Sequence, residues 1–437
     1  HKSSRGLGDV YKRQMKLYSK FLLIILIVPI KVDAQTVIDI TQGSEDPYRL
    51  AIIAKEDNQK QTQKVLSIVS QDLKRTGEFY IFDNKLLLSL PQTEEDIEYR
   101  EWRLLNCDFI LIADIQETVA GIQLSYEIFD VANKEKIRSS KVYGITDRFR
   151  QLGHYASDGV YETITGIPGI ASTRIMYVTQ TSDSKSKFQL FIADADGLNE
   201  QLLLRSSEPI ISPVWSPDSS KVAYVSFETG VANVFIQEIA TGKRFSVINK
   251  KCNDCRFNEQ ISSPAWSPDG KYLSLTLYQD GNAEIYIFNI NKKLLTRMTN
   301  HYGIDTESKW SNNGRKLLFT SGRSGSPQLY EIDLRKLNKR PKRLTFEGNY
   351  NAKGSYLPDD SGIVFVHRAT NKFQIAIKYF DDNFVIPLTE SKMDESPSVA
   401  PNGNVIIYAI TENNQDILAG VTSVSYTHLT LPTIDRV

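Results

Sequence analysis

The chain has 437 residues, 41% of them hydrophobic and 24% charged, ordinary values for a soluble globular protein with room for two domains. Its 52 basic and 52 acidic residues cancel, so the basic footprint of a nucleic-acid partner or an anionic membrane surface is missing and neither is expected. Five histidines and three cysteines leave little material for a metal centre, and no cofactor or metal is expected.

The first readable feature is an export signal. Met15 opens it, Lys16 and Lys20 give the basic start, residues 21–30 form a short apolar run, and Val32-Asp33-Ala34 is a small-residue cleavage site. That run is too short to span a bilayer. Residues 15–34 are therefore expected to be removed, leaving a mature chain from Gln35 in an oxidising, exported compartment. Residues 1–14, ahead of the Met, and residues 423–437, beyond the last patterned segment, read as foreign adapter-like sequence.

Residues 35–165 read as a small α/β domain. Strands are expected at 48–54, 79–82, 108–115, 121–130 and 136–143, the last two joined by a hairpin around Ala132-Asn133-Lys134. Helices are expected at 59–76, where Val65, Leu66, Ile68, Val69 and Leu73 share a face, at 94–105 and at 147–165. Gly166-Ile167-Pro168-Gly169 is the linker.

From 166 to 422 a motif recurs. It reads Ser212-Pro213-Val214-Trp215-Ser216-Pro217-Asp218, then Ser263-Pro264-Ala265-Trp266-Ser267-Pro268-Asp269-Gly270, then Lys309-Trp310-Ser311-Asn312-Asn313-Gly314. Looser copies are Ser355-Tyr356-Leu357-Pro358-Asp359-Asp360 and Ser398-Val399-Ala400-Pro401-Asn402-Gly403. A spacing of roughly 43 to 51 residues is the period of a four-stranded β-propeller blade. Pro with Asp-Gly or Asn-Gly makes the tight turn between a blade's first two strands, and the aromatic or apolar position packs between blades. Strands at 174–180, 188–193 and 200–205 precede the first copy, giving an incomplete blade without its inner strand. Five copies plus this blade predict six blades. The last blade lacks an outer strand, and the closing strands are expected from a native C-terminus that residues 423–437 replace.

The loops entering each inner strand converge on one channel mouth. They carry Glu208-Pro209, Glu259-Gln260, Asp305-Thr306-Glu307, Asn349-Tyr350-Asn351 and Asp394-Glu395. They are either solvated loop residues or a polar, mostly acidic ring that grips a partner, and repetition in several blades favours the ring. Residues 35–42 alternate apolar and polar, as an edge strand or a releasable segment would. Cys252-Asn253-Asp254-Cys255 reads as a local disulfide, since no second pair completes a zinc set. Cys107 is expected to be unpaired and buried. Asp194-Ala195-Asp196-Gly197 lacks the downstream acid of a calcium loop and is read as a blade turn.

The combination resembles the TolB family of the Tol-Pal system. The resemblance covers residues 15–422. It rests on Thr36-Val37-Ile38-Asp39-Ile40-Thr41-Gln42-Gly43 after the leader, on the repeat, and on the junction from Asp158-Gly159-Val160-Tyr161 through Gly166-Ile167-Pro168-Gly169 to Met176-Tyr177-Val178. It implies a non-enzymatic, monomeric periplasmic scaffold serving outer-membrane integrity and envelope constriction during cell division. It further implies that Pal docks on Glu208, Gln260, Thr306, Glu307, Asn349, Asn351, Asp394 and Glu395, a face that colicin and phage segments mimic. TolA would be met by Thr36, Val37, Ile38, Asp39 and Ile40. Two other classes compete. A peptidase of the prolyl-oligopeptidase kind needs a hydrolase domain and a nucleophile elbow, and the chain has neither. A periplasmic sensor propeller would bind a small molecule in its channel.

Overall fold

The computed structural model describes residues 46–423 apart from 57–58, 88, 120, 146–147, 182–184, 248–259, 280, 337–339 and 413–414. A five-stranded sheet comes first: β1 (Tyr48–Ala54), β2 (Phe79–Ile81), β3 (Phe109–Thr118), β4 (Gly121–Asp130) and β5 (Glu135–Gly144), in spatial order β2-β1-β3-β4-β5. β1 runs parallel to β2 and β3, and β3-β4-β5 form an antiparallel meander. Alternation along the central strands sorts side chains to two faces. Leu50, Ile52, Leu111, Ala113 and Ile115 meet α1 (Gln59–Arg75) and α3 (Phe149–Thr165) through Val65, Val69, Leu73, Leu152, Ala156 and Val160. Ala51, Ile53, Ile110 and Ile112 meet Trp102 of the short α2 (Tyr99–Leu104) on the other face.

One helix differs from expectation. Residues 94–105 do not form a single helix. A 3-10 turn occupies Glu94–Asp96, and α2 starts only at Tyr99. The Asp96 carboxylate accepts from the Thr93 and Gln92 N–H groups at 2.8 and 3.1 Å, closing the first turn on itself. Ile97 then leaves in extended backbone and is buried in the core.

The remaining strands form six sheets arranged as consecutive blades. The first holds β6 (Arg174–Gln180), β7 (Phe188–Asp194) and β8 (Gln201–Ser206). The second holds β9 (Ile210–Trp215), β10 (Lys221–Ser226), β11 (Asn233–Glu238) and β12 (Arg244–Ser246), and the third β13 (Ile261–Trp266), β14 (Tyr272–Gln279), β15 (Asn282–Asn289) and β16 (Leu294–Arg297). The fourth holds β17 (Asp305–Trp310), β18 (Lys316–Ser321), β19 (Gln328–Asp333) and β20 (Lys342–Arg343), and the fifth β21 (Tyr350–Tyr356), β22 (Gly362–Arg368), β23 (Gln374–Tyr379) and β24 (Ile386–Pro387). The sixth holds β25 (Asp394–Val399), β26 (Val405–Glu412) and β27 (Gln415–Thr422). Among the described residues the first and last blades thus have three strands each. Their faces meet where Ile175, Tyr177 and Ala193 pack against Ile407 and Leu418.

The motif residues act as turn locks. Ser216 Oγ donates to Asp218 at 2.5 Å and accepts from the Lys221 N–H at 2.9 Å. Ser267 with Asp269 and Ser311 with Asn313 repeat the arrangement at 2.6 and 3.0 Å. Gly270 and Gly314 sit at φ 68° behind them, where a Cβ would be strained. A second repeat, absent from the expectations above, lies two residues past the end of the outer strands. Thr299 and Thr345 accept from the Ile285 and Leu329 N–H groups at 2.9 Å each, and Thr389 from that of Ile375 at 3.0 Å. The signal was present as Arg297-Met298-Thr299, Arg343-Leu344-Thr345 and Pro387-Leu388-Thr389.

The α/β domain joins the first blade through buried charges. Asp72 on α1 takes His154 Nδ1 of α3 at 2.7 Å, Ser157 Oγ at 2.8 Å and Arg75 at 2.7 Å. Arg150 bonds Asp196 and reaches Asp194 at 3.3 Å, and His154 Nε2 lies 3.6 Å from Asp194. The Asp194-Ala195-Asp196-Gly197 turn therefore holds two helices. Its carboxylates, with His154, would suit a cation by type, but Arg150 already fills that role. Behind them the Asp158 carboxylate accepts from the Ala171 and Ser172 N–H groups at 2.6 and 3.0 Å. A Cβ on Gly169 would fall 2.4 Å from Asp158 Cα, so the linker passes too close for any side chain. Cys107 is free and buried, and burial pushes its thiol up to about 12. Among the described residues no helix is long and apolar enough to cross a membrane.

Candidate functional site

The five inner strands β9, β13, β17, β21 and β25 share one irregularity. Ser212, Ser263, Glu307 and Ser396, each third in its strand, and Lys353, fourth in β21, lie at φ between 52° and 58°. At the same place the ladder to the next strand slips in register. This is a β-bulge, which re-aims a side chain and frees backbone groups. A non-glycine residue in the left-handed region costs of order 1–3 kcal/mol and needs support from its surroundings.

The support comes from neighbouring blades. The Thr276 hydroxyl of the third blade meets that of Thr306 at 3.3 Å and accepts from the Glu307 N–H at 3.3 Å. The Glu307 carboxylate accepts from Thr320 Oγ1 at 2.9 Å and from the Lys353 N–H of the fifth blade at 3.1 Å. The Lys353 ammonium reaches Glu395 at 3.1 Å and Ser396 Oγ at 3.3 Å on the sixth. One polar chain thus links four blades around the channel mouth. Lys353 was not among the expected site residues. Alignment of the motif copies would have exposed it, because Ser212, Ser263 and Ser396 occupy its position elsewhere.

The expected ring divides by burial. Glu208, Gln260, Asn349 and Glu395 are exposed, and Thr306 and Glu307 are half-buried. Asn351, second in β21, and Asp394, first in β25, are fully buried, as is Asp305 at the start of β17. The Asn351 amide donates to Gln328 at 2.9 Å and to the Glu347 carbonyl at 2.7 Å. Asp394 accepts from Thr389 and Ser391, and burial raises its pKa against those two hydrogen bonds. Asp305 holds Ser321 at 2.6 Å and Arg323 at 2.7 Å. Asp305 is turned into its own blade, whereas Asn351 and Asp394 tie their strands back to the preceding blade through Gln328 and Thr389. The residues that follow them, Thr306, Glu307, Lys353 and Glu395, carry the interblade contacts. Thr36, Val37, Ile38, Asp39, Ile40, Cys252 and Cys255 lie outside the described residues.

Residues 36–137 match the model of the TolB amino-terminal domain, and residues 161–436 match that of the TolB beta propeller domain. The chain is 36% identical over 419 residues to the Tol-Pal system protein TolB of Xanthomonas oryzae pv. oryzae, covering 92% of each. It is 37% identical over 273 residues to that of Alcanivorax borkumensis, a match spanning 61% of that protein. The crystal structure of TolB from Acinetobacter baumannii superposes with a TM-score of 0.80 at 34% identity, covering 89% of this chain and 94% of that one. Both domain matches, the near full-length identity and the superposition agree with the six blades and the α/β domain described above: the chain belongs to the TolB family of the Tol-Pal system.

Proposed function

We propose that the chain is a non-enzymatic periplasmic scaffold, with Pal docking on the bulged channel mouth and TolA on the mature N-terminal segment. The observation that carries the first contact is the interblade chain Thr276–Thr306–Glu307–Thr320–Lys353–Glu395. It holds polar groups of four blades in one strained, pre-set arrangement, which lowers the ordering cost of binding. Around it the exposed Glu208 and Glu395 give a rim that favours a partner loop carrying cations or N–H donors.

The exposed acids test this contact better than Glu307 or Asp394, which are engaged within the propeller. Glu208→Lys with Glu395→Lys is expected to weaken binding of the soluble domain of Pal at least tenfold, roughly 1.4 kcal/mol. The melting curve should stay where it was. Unchanged affinity in a calorimetric titration would remove the mouth from the interface.

The TolA contact rests on the strand-like alternation of Val37, Ile38 and Ile40 beside a polar backbone able to add to a sheet edge. Deleting residues 35–42 is expected to abolish capture of TolA and to leave Pal binding unaltered. A truncated chain that still retains TolA on a column would show the contact to lie elsewhere.

A further inference from the structure

The other end of the same inner strands carries a different chemistry. Trp215, Trp266, Trp310 and Tyr356, from four successive blades, line a cavity of about 220 Å³ together with Lys309 and Ser355. We infer that this cavity is a binding site for a small monocarboxylate with an apolar body, its carboxylate on Lys309 and its body against the aromatic wall. The inference goes beyond the docking of protein partners proposed above.

Lys309 is the anomaly that points there. At its position in the motif the other blades carry Val214, Ala265, Ser355 and Ser398, all small and neutral. A lysine costs the most where it is taken out of water, and burial lowers the Lys309 pKa with only the field of Glu307 opposing it. Its ammonium has no hydrogen-bond or ion-pair partner among the described residues. The acids that bond the cavity's other lining residues are engaged, Glu331 with Lys316 and the Tyr356 hydroxyl at 3.0 Å each and Asp360 with Asn312 at 2.8 Å, and the Glu307 carboxylate is held by Thr320 and the Lys353 N–H. A cation of this kind in an aromatic-walled channel is matched by an anion that brings its own apolar surface.

The donor set narrows the class. Trp310 Nε1 is already bonded to the Ala265 carbonyl at 3.2 Å, and the Tyr356 hydroxyl faces Glu331, so both act as walls. The Lys309 ammonium, the Ser355 hydroxyl and the buried, unpartnered Trp266 Nε1–H remain, a small donor set suited to the two oxygens of one carboxylate. A phosphate dianion would need more donors than these.

Three of the four tryptophans of the chain line the cavity, so their fluorescence reports on it. Titration of the whole protein with phenylacetate is expected to give a saturable change that Trp102→Phe retains. Phenylacetamide, the neutral isostere, should bind at least tenfold more weakly. Lys309→Met should lose the same factor for phenylacetate, and Lys309→Arg should recover most of it. Equal binding of acid and amide, no saturable change, or full affinity in a folded Lys309→Met protein would overturn the assignment. Failure here leaves the scaffold reading untouched, because that reading is tested by Glu208→Lys with Glu395→Lys, neither of which lines the cavity.

Discussion

Replacing Asp72 with alanine is expected to destabilise the α/β domain and its junction by about 3–5 kcal/mol, the usual penalty for removing one partner from a buried ionic network. Asp72 is 5% exposed and serves three partners at once, His154, Ser157 and Arg75. Without it the His154 ring is left buried against Arg150, 3.3 Å away, and only Asp194 and Asp196 balance the charge. A loss of that size corresponds to a fall in melting temperature on the order of 10–20 °C for a domain of this length. Calorimetry of the whole chain would show it as an earlier first transition. An unshifted first transition would mean that the network carries no net stability.

The same site sets a pH dependence whose sign follows from His154. Burial alone would lower its pKa, but the hydrogen bonds it donates to Asp194 and Asp72 and the fields of Asp72 and Asp196 raise it to about 9. The folded state therefore holds the imidazolium proton more tightly than the unfolded chain, whose histidine titrates near 6.5. The stabilisation is complete below about pH 6.5 and is lost as pH rises through about 9, to a total of about 3 kcal/mol. In Asp72→Ala that slope should shrink across the same window. A wild-type stability curve flat from pH 6.5 to 9 would show His154 to be neutral.

Much of this architecture was legible because it repeats. The Trp-Ser-Pro-Asp-Gly copies fix turns through local hydrogen bonds of two to five residues' reach, and such bonds are written in neighbouring letters. The strand boundaries of β1 and β4 agree with the alternation read from them, since one period-2 pattern decides both faces. Two kinds of feature were not legible. The split of residues 94–105 turns on Ile97 being drawn into a core formed by β1 and β3, a non-local demand that local helical spacing does not carry. The junction joins Asp72, His154 and Asp194, which are distant in the chain, and no spacing rule connects them. The mouth was half legible. Strand pairing buries Asp394 at the start of β25 and Asn351 one residue into β21, so both were counted with their exposed neighbours.

Adjacent acids in β25 should accordingly behave in opposite ways. Asp394→Ala is expected to cost about 2–4 kcal/mol, because two hydroxyl donors lose a charged acceptor inside the protein. Thr389 would feel it most, since the same hydroxyl also receives the Ile375 N–H that pins the neighbouring strand β23. The propeller transition should drop by roughly 5–15 °C. Asp394→Asn should cost far less: an amide oxygen still accepts, and the burial that raises the Asp394 pKa no longer acts against a charge. Glu395, half exposed and paired with Lys353 alone among the described residues, should tolerate alanine within about 0.5 kcal/mol. The binding readout should invert this order. Glu395→Ala is expected to weaken Pal binding at full stability, whereas Asp394→Asn should bind normally. If Asp394→Asn lost Pal affinity while melting like wild type, the buried carboxylate would have to reach the partner, and the assignment of inward and outward positions along the inner strands would fail.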